Sequence, residues 1–178
     1  MFILEGVNME ILRIIADKID SINEWIGKIS QWGIVVLVTV FIIESVLRKV
    51  FSAPQIWFTE TSYFIYGYYM MFGSVYTLLH KGHVGIDLFS EKLPEKGRHL
   101  LSITCYLVFT CVFALAMIKG GIPIAVKSWQ AMEQGHSVWR PPIAHFRTVI
   151  PVAFFFLLIQ GISSILKHIV ALKGTSYE

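Results

Sequence analysis

Residues 29–47 read ISQWGIVVLVTVFIIESVL, and Arg48 and Lys49 follow directly. A run of about 19 mostly apolar residues is as long as an α-helix must be to cross roughly 30 Å of hydrocarbon. Basic residues at the end of such a run are typical of a helix that stops at the membrane surface. This stretch therefore predicts a transmembrane helix and places the chain among the integral membrane proteins.

Three more apolar runs, at about residues 57–79, 100–118 and 148–166, predict three further transmembrane helices. The composition agrees, because the 178-residue chain is 55% hydrophobic and 15% charged, with a mean hydropathy of +0.64. Soluble domains carry about 25% charged residues. The predicted fold class is all-α integral membrane, with four transmembrane helices in a single membrane domain over residues 1–178.

Residues 2–29 predict an amphipathic helix before the first span. Its larger aliphatic side chains recur at steps of three, four or seven: Leu4, Ile11, Leu12, Ile15, Ile19, Ile22, Ile26 and Ile29. Most charged residues fall on the other side, and Glu24 and Lys28 form a favourable i,i+4 pair. We expect this helix to lie among the lipid headgroups and to turn into the first span near Trp25–Trp32. A solvated helix packed on a partner is the alternative.

The second predicted span is rich in tyrosine: Tyr63, Tyr66, Tyr68, Tyr69 and Tyr76. A phenol inside a membrane requires a hydrogen-bond partner, and Gly67 and Gly73 permit another helix to approach closely. This pattern predicts a helix that faces protein more than lipid.

Lysine and arginine are more frequent near the termini and between the second and third spans than in the other connections. This bias predicts that both termini are cytoplasmic. The longest connection, residues 119–147, is then the outer loop, because the third span is expected to end at about residue 118 and Gly120, Gly121 and Pro123 to break or kink the helix.

No pattern indicates catalysis or cofactor binding. The sequence has no glycine-rich phosphate loop, zinc-ligand spacing or Ser-His-Asp arrangement, and the histidines lie at span ends, away from where a haem would be held. We therefore expect no enzyme activity, no metal and no cofactor, and the absence of a basic stripe argues against nucleic acid as a partner.

Two carboxylates lie in or near the predicted spans. Glu44 is the clearest candidate for a functional group inside the membrane, and the structural alternative is a carboxylate that reaches the interface or pairs with Arg48 one turn on. Glu60 is expected to sit in the first turn of the second span, where the helix dipole favours negative charge. In the middle loop, His83 and Asp87 could hydrogen-bond across one turn and fix the loop.

The outer loop contains Ser137-Val138-Trp139-Arg140-Pro141-Pro142. The two prolines stiffen this segment, and a tryptophan suits an interface of water with lipid or of two proteins. A docking surface and a membrane-belt tryptophan are both open interpretations.

Taken in order, several motifs resemble the small membrane subunit (DctQ-like) of tripartite ATP-independent periplasmic (TRAP) transporters. They are Arg48-Lys49-Val50-Phe51, Trp57 with Glu60, Gly73, Gly82-His83-Val84 with Asp87, Leu93-Pro94, Ser137, Trp139, Pro141-Pro142, Pro151 and Gln160-Gly161. The resemblance covers about residues 32–167.

The resemblance implies a sodium symporter that imports small organic anions across a bacterial inner membrane. A periplasmic substrate-binding protein captures the substrate, and a large membrane subunit carries substrate and sodium. The small subunit acts as a scaffold in the lipid bilayer and is not expected to bind either. Carboxylates, keto or hydroxy acids and sulfonates remain open as substrates.

On this basis we expect Glu60, Tyr63, Tyr66, Gly67, Tyr69 and Gly73 to pack against the large subunit. The expected docking face for the binding protein consists of Trp139, Arg140, Pro141 and Pro142. A self-assembling channel or exporter, a membrane anchor of a respiratory complex and a membrane enzyme are the rival hypotheses.

Overall fold

The computed structural model describes residues 2–52, 55–80 and 94–174. The described helices are α1 (Phe2–Lys49), α2 (Ile56–Leu79), α3 (Glu95–Cys105), a π-helical segment (Tyr106–Cys111), α4 (Val112–Gln130) and α5 (Ala144–Gly174). Within these ranges the only pairing of extended backbone is an isolated bridge between Gln134 and Pro142. The predicted all-helical class is confirmed for the described part of the chain.

Helix α1 is continuous over 48 residues, so the predicted turn near Trp25–Trp32 is absent. At 1.5 Å per residue such a helix is roughly 72 Å long. Two glycines that could have weakened it, Gly27 and Gly33, lie against the side chains of Tyr76 and Tyr69 of α2. The contact with α2 thus extends across the predicted turn, and the amphipathic segment and the first span form one element.

Helix α1 turns several small and polar side chains toward the other helices and most of its large apolar ones outward; Leu37 is buried, and Ile19 and Ile26 are half-buried. Ala16, Asn23 and Glu44 are buried, whereas Trp25 and Trp32 are 66% and 71% exposed. The isoleucine stripe of the N-terminal half is also exposed, at Ile11, Ile14, Ile15, Ile22 and Ile29. The stripe is therefore free to contact lipid or another protein.

The predicted end of the third helix at Gly120–Pro123 is wrong. The helical path runs from Glu95 through the π-helical segment to Gln130, with Pro123 inside α4. An interrupted helix would expose unpaired backbone groups in the bilayer, and close packing of Gly121 on Pro151 of α5 holds α4 in place. The loop that follows is therefore residues 131–143, shorter than the predicted 119–147.

Helix α5 begins at Ala144, earlier than predicted, so Pro151 lies inside the helix and not in its first turn. This helix contacts every other described helical element. The π-helical segment packs beside Gly161 of α5, where an added Cβ would lie 3.1 Å from Thr110 Cγ2. Helix α5 is thus the central element of the bundle.

Three helical stretches, Glu10–Lys49, Lys96–Gln130 and Ala144–Leu172, are long and apolar enough to cross a membrane, judged by length and composition. Helix α2 is not among them, because its tyrosines lower its mean hydropathy. The chain is thus an all-α membrane protein, and the fourth span remains a prediction.

Candidate subunit and docking surfaces

One side of α2 is uncovered and forms a continuous outward stripe, defined here as Tyr63, Tyr66, Met70, Gly73 and Thr77. These residues recur at three- and four-residue steps, so they share one helix face. Tyr63 and Tyr66 are 67% and 51% exposed. A Cβ added to Gly73 would meet nothing within 4 Å. Three of the residues predicted to pack against a partner therefore lie on one open surface.

Two other predicted residues of α2 contact the same chain. A Cβ added to Gly67 would lie 2.4 Å from Phe146 Cε2 of α5, so the absence of a side chain there permits this contact. Tyr69 lies against Gly33 of α1, with its Cβ 3.4 Å from an added glycine Cβ. The observed contacts of Gly67 and Tyr69 join α2 to α5 and α1, and their role in a contact between subunits stays a prediction.

A groove of about 640 Å³ lies beside the outward stripe, between α2 and the π-helical segment. Its lining includes Gly73, Ser74, Thr77, Phe109 and Leu157. The Ser74 and Thr77 hydroxyls donate to carbonyls of their own helix, at 2.7 and 2.9 Å. The groove wall is thus mostly apolar, although Gln31, Tyr69, Tyr76 and Thr110 add further polar groups. A mostly apolar wall suits a packed helix better than a polar solute.

Glu60 lies apart from this groove, on the wall of a cavity of about 290 Å³ at the other end of α2. Because α2 begins at Ile56, Glu60 is past the first turn, and the predicted interaction with the helix dipole is weak. Its Oε2 atom is buried and has no hydrogen-bond partner.

The loop at 131–143 folds back on itself and carries the predicted docking residues. Gly135 N donates to Pro141 O at 2.8 Å, and Ile143 N donates to Glu133 O at 3.0 Å. Trp139 and Arg140 lie at the exposed tip, whereas Pro141 is buried in the stem and Pro142 takes part in the bridge. The four predicted residues therefore divide between an accessible tip and a stiff stem.

Helix α5 and the loop are joined by an ion pair. Arg147 Nη2 lies 2.5 Å from Glu133 Oε1. Close by, the Trp129 indole donates to Thr148 Oγ1 at 2.8 Å and links the ends of α4 and α5. These contacts set the position of the loop relative to the bundle.

Glu44 has the structural role predicted from its position. Its Oε1 lies 2.6 Å from Arg48 Nη2 and accepts a hydrogen bond from Thr59 Oγ1 at 3.0 Å. The predicted i,i+4 pair of Glu24 and Lys28 is also confirmed, at 3.1 Å, and His80 Nε2 lies 2.9 Å from the same Glu24 carboxylate. These carboxylates join α1 to α2.

A polar network between α1 and α5 was not predicted. Asn23 Nδ2 donates to Gln160 Oε1 at 2.6 Å, Gln160 Nε2 donates to Asp20 Oδ1 at 3.1 Å, and Ser163 Oγ donates to the same oxygen at 2.5 Å. Lys167 pairs with Asp20. One signal was available in the sequence, because Gln160, Ser163 and Lys167 share one face of an otherwise apolar helix.

No group of three or more metal-ligating side chains occurs among the residues that the structure describes. His99 and His168 lie at helix ends, with their Nδ1 atoms 2.9 Å apart. The predicted loop residues His83 and Asp87 lie outside the described residues.

Comparison with known proteins gives two findings. The family described as "Tripartite ATP-independent periplasmic transporters, DctQ component" matches residues 34–171. The chain is also similar to the sialic acid TRAP transporter permease protein SiaT of Haemophilus influenzae (strain 86-028NP), with 30% identity over 95 residues. That alignment covers 51% of this chain but 15% of the relative, so the chain spans a small part of that protein's length.

Proposed function

Because the chain belongs to the DctQ component family of tripartite ATP-independent periplasmic transporters, we propose that it is the small membrane subunit of such an importer and a scaffold for the large subunit. The family match over residues 34–171 carries this proposal. The open stripe on α2 supports it, since tyrosine and glycine on an uncovered helix face suit contact with another membrane protein.

The charged and amide side chains of the described bundle also favour a scaffold. Asp20, Asn23 and Gln160 hydrogen-bond between helices of this chain, and Glu44 pairs with Arg48. Most of these groups are thus occupied by internal contacts, whereas Asn23 Oδ1 and Glu60 Oε2 have no partner among the described residues. We assign substrate and sodium to the large subunit.

The proposed importer takes up small organic anions, including carboxylates and sulfonates, by sodium symport. The name of the Haemophilus relative specifies sialic acid for that protein. We keep the wider class for this chain, because its proposed role leaves substrate choice to the large subunit and the periplasmic binding protein.

The proposed topology has four spans in a bacterial inner membrane, both termini cytoplasmic and the 131–143 loop periplasmic. Helix α2 supplies the fourth span, with its tyrosines covered by the large subunit. The exposed isoleucines and tryptophans in the N-terminal half of α1 would contact lipid near the cytoplasmic surface.

Co-purification tests the proposed function. The tagged chain is extracted from its native cells in several mild detergents, and the proteins that accompany it are identified. A stoichiometric membrane protein with many spans is the expected result. A monomer or homo-oligomer in every detergent would contradict the proposal and favour a self-assembling channel or exporter.

Gly73→Leu is expected to weaken association with the large subunit at least tenfold while this chain stays folded. An added side chain meets no atom of the chain itself, so leucine would project into the surface that the partner covers. Quantitative co-purification measures the loss. Gly120→Leu is the matched control, because Gly120 of α4 also has open space around it. Equal retention of the partner by both variants would place the interface elsewhere.

Arg140→Glu is expected to reduce substrate uptake several-fold by weakening the binding protein's contact with the loop tip. Charge reversal at an interface rim mainly slows association and changes its salt dependence. Uptake is measured in proteoliposomes at increasing concentrations of binding protein. Lys127→Glu, an exposed charge reversal in the last turn of α4, is the control. Unchanged uptake by Arg140→Glu would remove the tip from the docking face.

A further inference from the structure

Glu60 differs from the other carboxylates between the described helices, because none of the described residues pairs with it. Asp20 pairs with Lys167, Glu24 with Lys28, Glu44 with Arg48 and Glu133 with Arg147. Glu60 makes no ion pair or hydrogen bond within the described residues, and its Oε2 atom is buried. Glu60 is half-buried overall, but a buried carboxylate oxygen without a donor is unfavourable, so a donor from outside the chain would stabilise it.

The cavity beside Glu60 has the size and lining to hold one long basic side chain. Its volume is about 290 Å³, and its wall includes the aromatic residues Tyr63, Phe64 and Phe146. Aromatic faces attract ammonium and guanidinium groups, most strongly where water is excluded. A cation entering this cavity would therefore meet both a carboxylate and aromatic rings.

The loop proposed to face the periplasm forms part of the cavity wall. Gly135 and Pro141, which form part of the loop stem, complete its wall, and Pro141 is followed by the bridge residue Pro142. Trp139 and Arg140 are exposed at the tip of the same loop. A protein that covers the tip is thus placed next to the cavity opening.

From this arrangement we propose that the Glu60 cavity receives an arginine or lysine side chain of the periplasmic binding protein. The proposal rests on the proposed function and its topology. The negative charge of Glu60 and the positive charge of Arg140 then lie on one docking face, and a partner with complementary charges can bind in only one orientation. Specific docking at this site requires Glu60. Tyr63 borders both surfaces, while the rest of the outward stripe, from Tyr66 to Thr77, remains available to the large subunit.

The test uses the complete membrane complex in nanodiscs and measures its affinity for the binding protein. Glu60→Gln is expected to weaken binding at least tenfold, because it leaves the incoming cation unpaired. Glu60→Lys is expected to abolish specific binding. Glu44→Gln is the matched control, since Glu44 lies at the same end of the bundle, outside the docking loop, and Arg48 already neutralises its charge. An equal loss in Glu44→Gln would reduce the effect to the general charge of this end of the bundle and overturn the proposal.

A double-mutant cycle identifies the occupant. Each basic residue on the binding protein's docking face is changed to alanine and tested against wild type and Glu60→Gln. One basic residue is expected to show strong coupling to Glu60. Changing it to alanine should weaken binding to the wild-type complex but have little further effect on binding to Glu60→Gln. Glu60→Asp keeps the negative charge but places it one methylene group farther from the incoming cation. It provides a second variant if Glu60→Gln fails to assemble.

Three outcomes overturn the proposal. They are no coupling to any basic residue of the binding protein, loss of the large subunit in both Glu60→Gln and Glu60→Asp, or an effect on binding that appears only in bilayers containing phosphatidylethanolamine. The second would assign the cavity to the large subunit, and the third to a lipid ammonium group. If the wild-type chain binds no large subunit at all, the proposed function itself fails, which is a separate result.

Discussion

Gly27→Leu is expected to lower the free energy of unfolding of the bundle by about 1–3 kcal/mol, the range for an overpacked interior. An added Cβ at Gly27 would lie 2.1 Å from Tyr76 Cδ2 and 2.7 Å from Tyr76 Cβ. The nearer atom belongs to a ring that can rotate, but the Cβ moves only with the backbone of α2. The helices would therefore have to separate. Leucine's better helix propensity, worth about 1 kcal/mol over glycine, offsets only part of this.

Gly33→Ala provides the matched control, because Gly33 is on the same helix and faces the same partner helix. Its added Cβ would lie 3.4 Å from Tyr69 Cβ, an ordinary contact, so the variant should be as stable as wild type or slightly more so. Both are measured by thermal unfolding in one detergent. If Gly27→Leu unfolds at the wild-type temperature, α1 and α2 do not pack as closely as described.

Asp20→Ala is expected to lower the free energy of unfolding by about 1–3 kcal/mol, because it leaves donors without their acceptor. The two Asp20 carboxylate oxygens accept from Gln160, Ser163 and Lys167 together. Gln160 is 2% exposed, so water cannot easily replace the acceptor that its amide loses. Ser163 is fully buried but keeps the Ala16 carbonyl as an acceptor, at 3.1 Å. The N-terminal half of α1 should detach from α5 before the rest of the bundle unfolds.

Hydrogen exchange measured along α1 distinguishes this local detachment from global unfolding. Amides near Asp20 should exchange faster in Asp20→Ala, while those near Glu44 keep wild-type rates. Asp17→Ala is the control, because Asp17 lies 3.3 Å from the same Lys167 but its side chain is 59% exposed. If amide exchange near Asp20 is accelerated equally in Asp20→Ala and Asp17→Ala, the Asp20 carboxylate has no special role in holding α1 against α5.

Much of the local structure followed from the sequence. The apolar runs located the helices, and i,i+4 spacing identified the pairs of Glu44 with Arg48 and of Glu24 with Lys28. Helix ends were less predictable, because proline and glycine end a helix in water more readily than in a bilayer. Pro123 inside α4 is the example, since the lipid offers no substitute for the backbone hydrogen bonds that an interruption would break.

The candidate surfaces were predicted only in part. Tyr63, Tyr66 and Gly73 lie on the outward stripe, as expected of residues available to a partner, and Trp139 and Arg140 lie at an exposed tip. Gly67 instead lies under Phe146 of α5. Glycine spacing predicts that a helix can approach, but it does not specify whether that helix belongs to the same chain.

By itself, the sequence determined the membrane class, the helical segments and the family, since hydropathy, local spacing and ordered motifs are properties of the chain. The tertiary structure decided which faces of the helices pack against one another. In water, an isoleucine stripe would indicate the buried side of a helix, but lipid is as apolar as a protein core and gives that stripe no reason to turn inward. Helix α1 therefore packs through Ala16, Asn23 and Gly27 and leaves its isoleucines outside. The unpaired carboxylate of Glu60 likewise becomes evident only once its distant neighbours are in place.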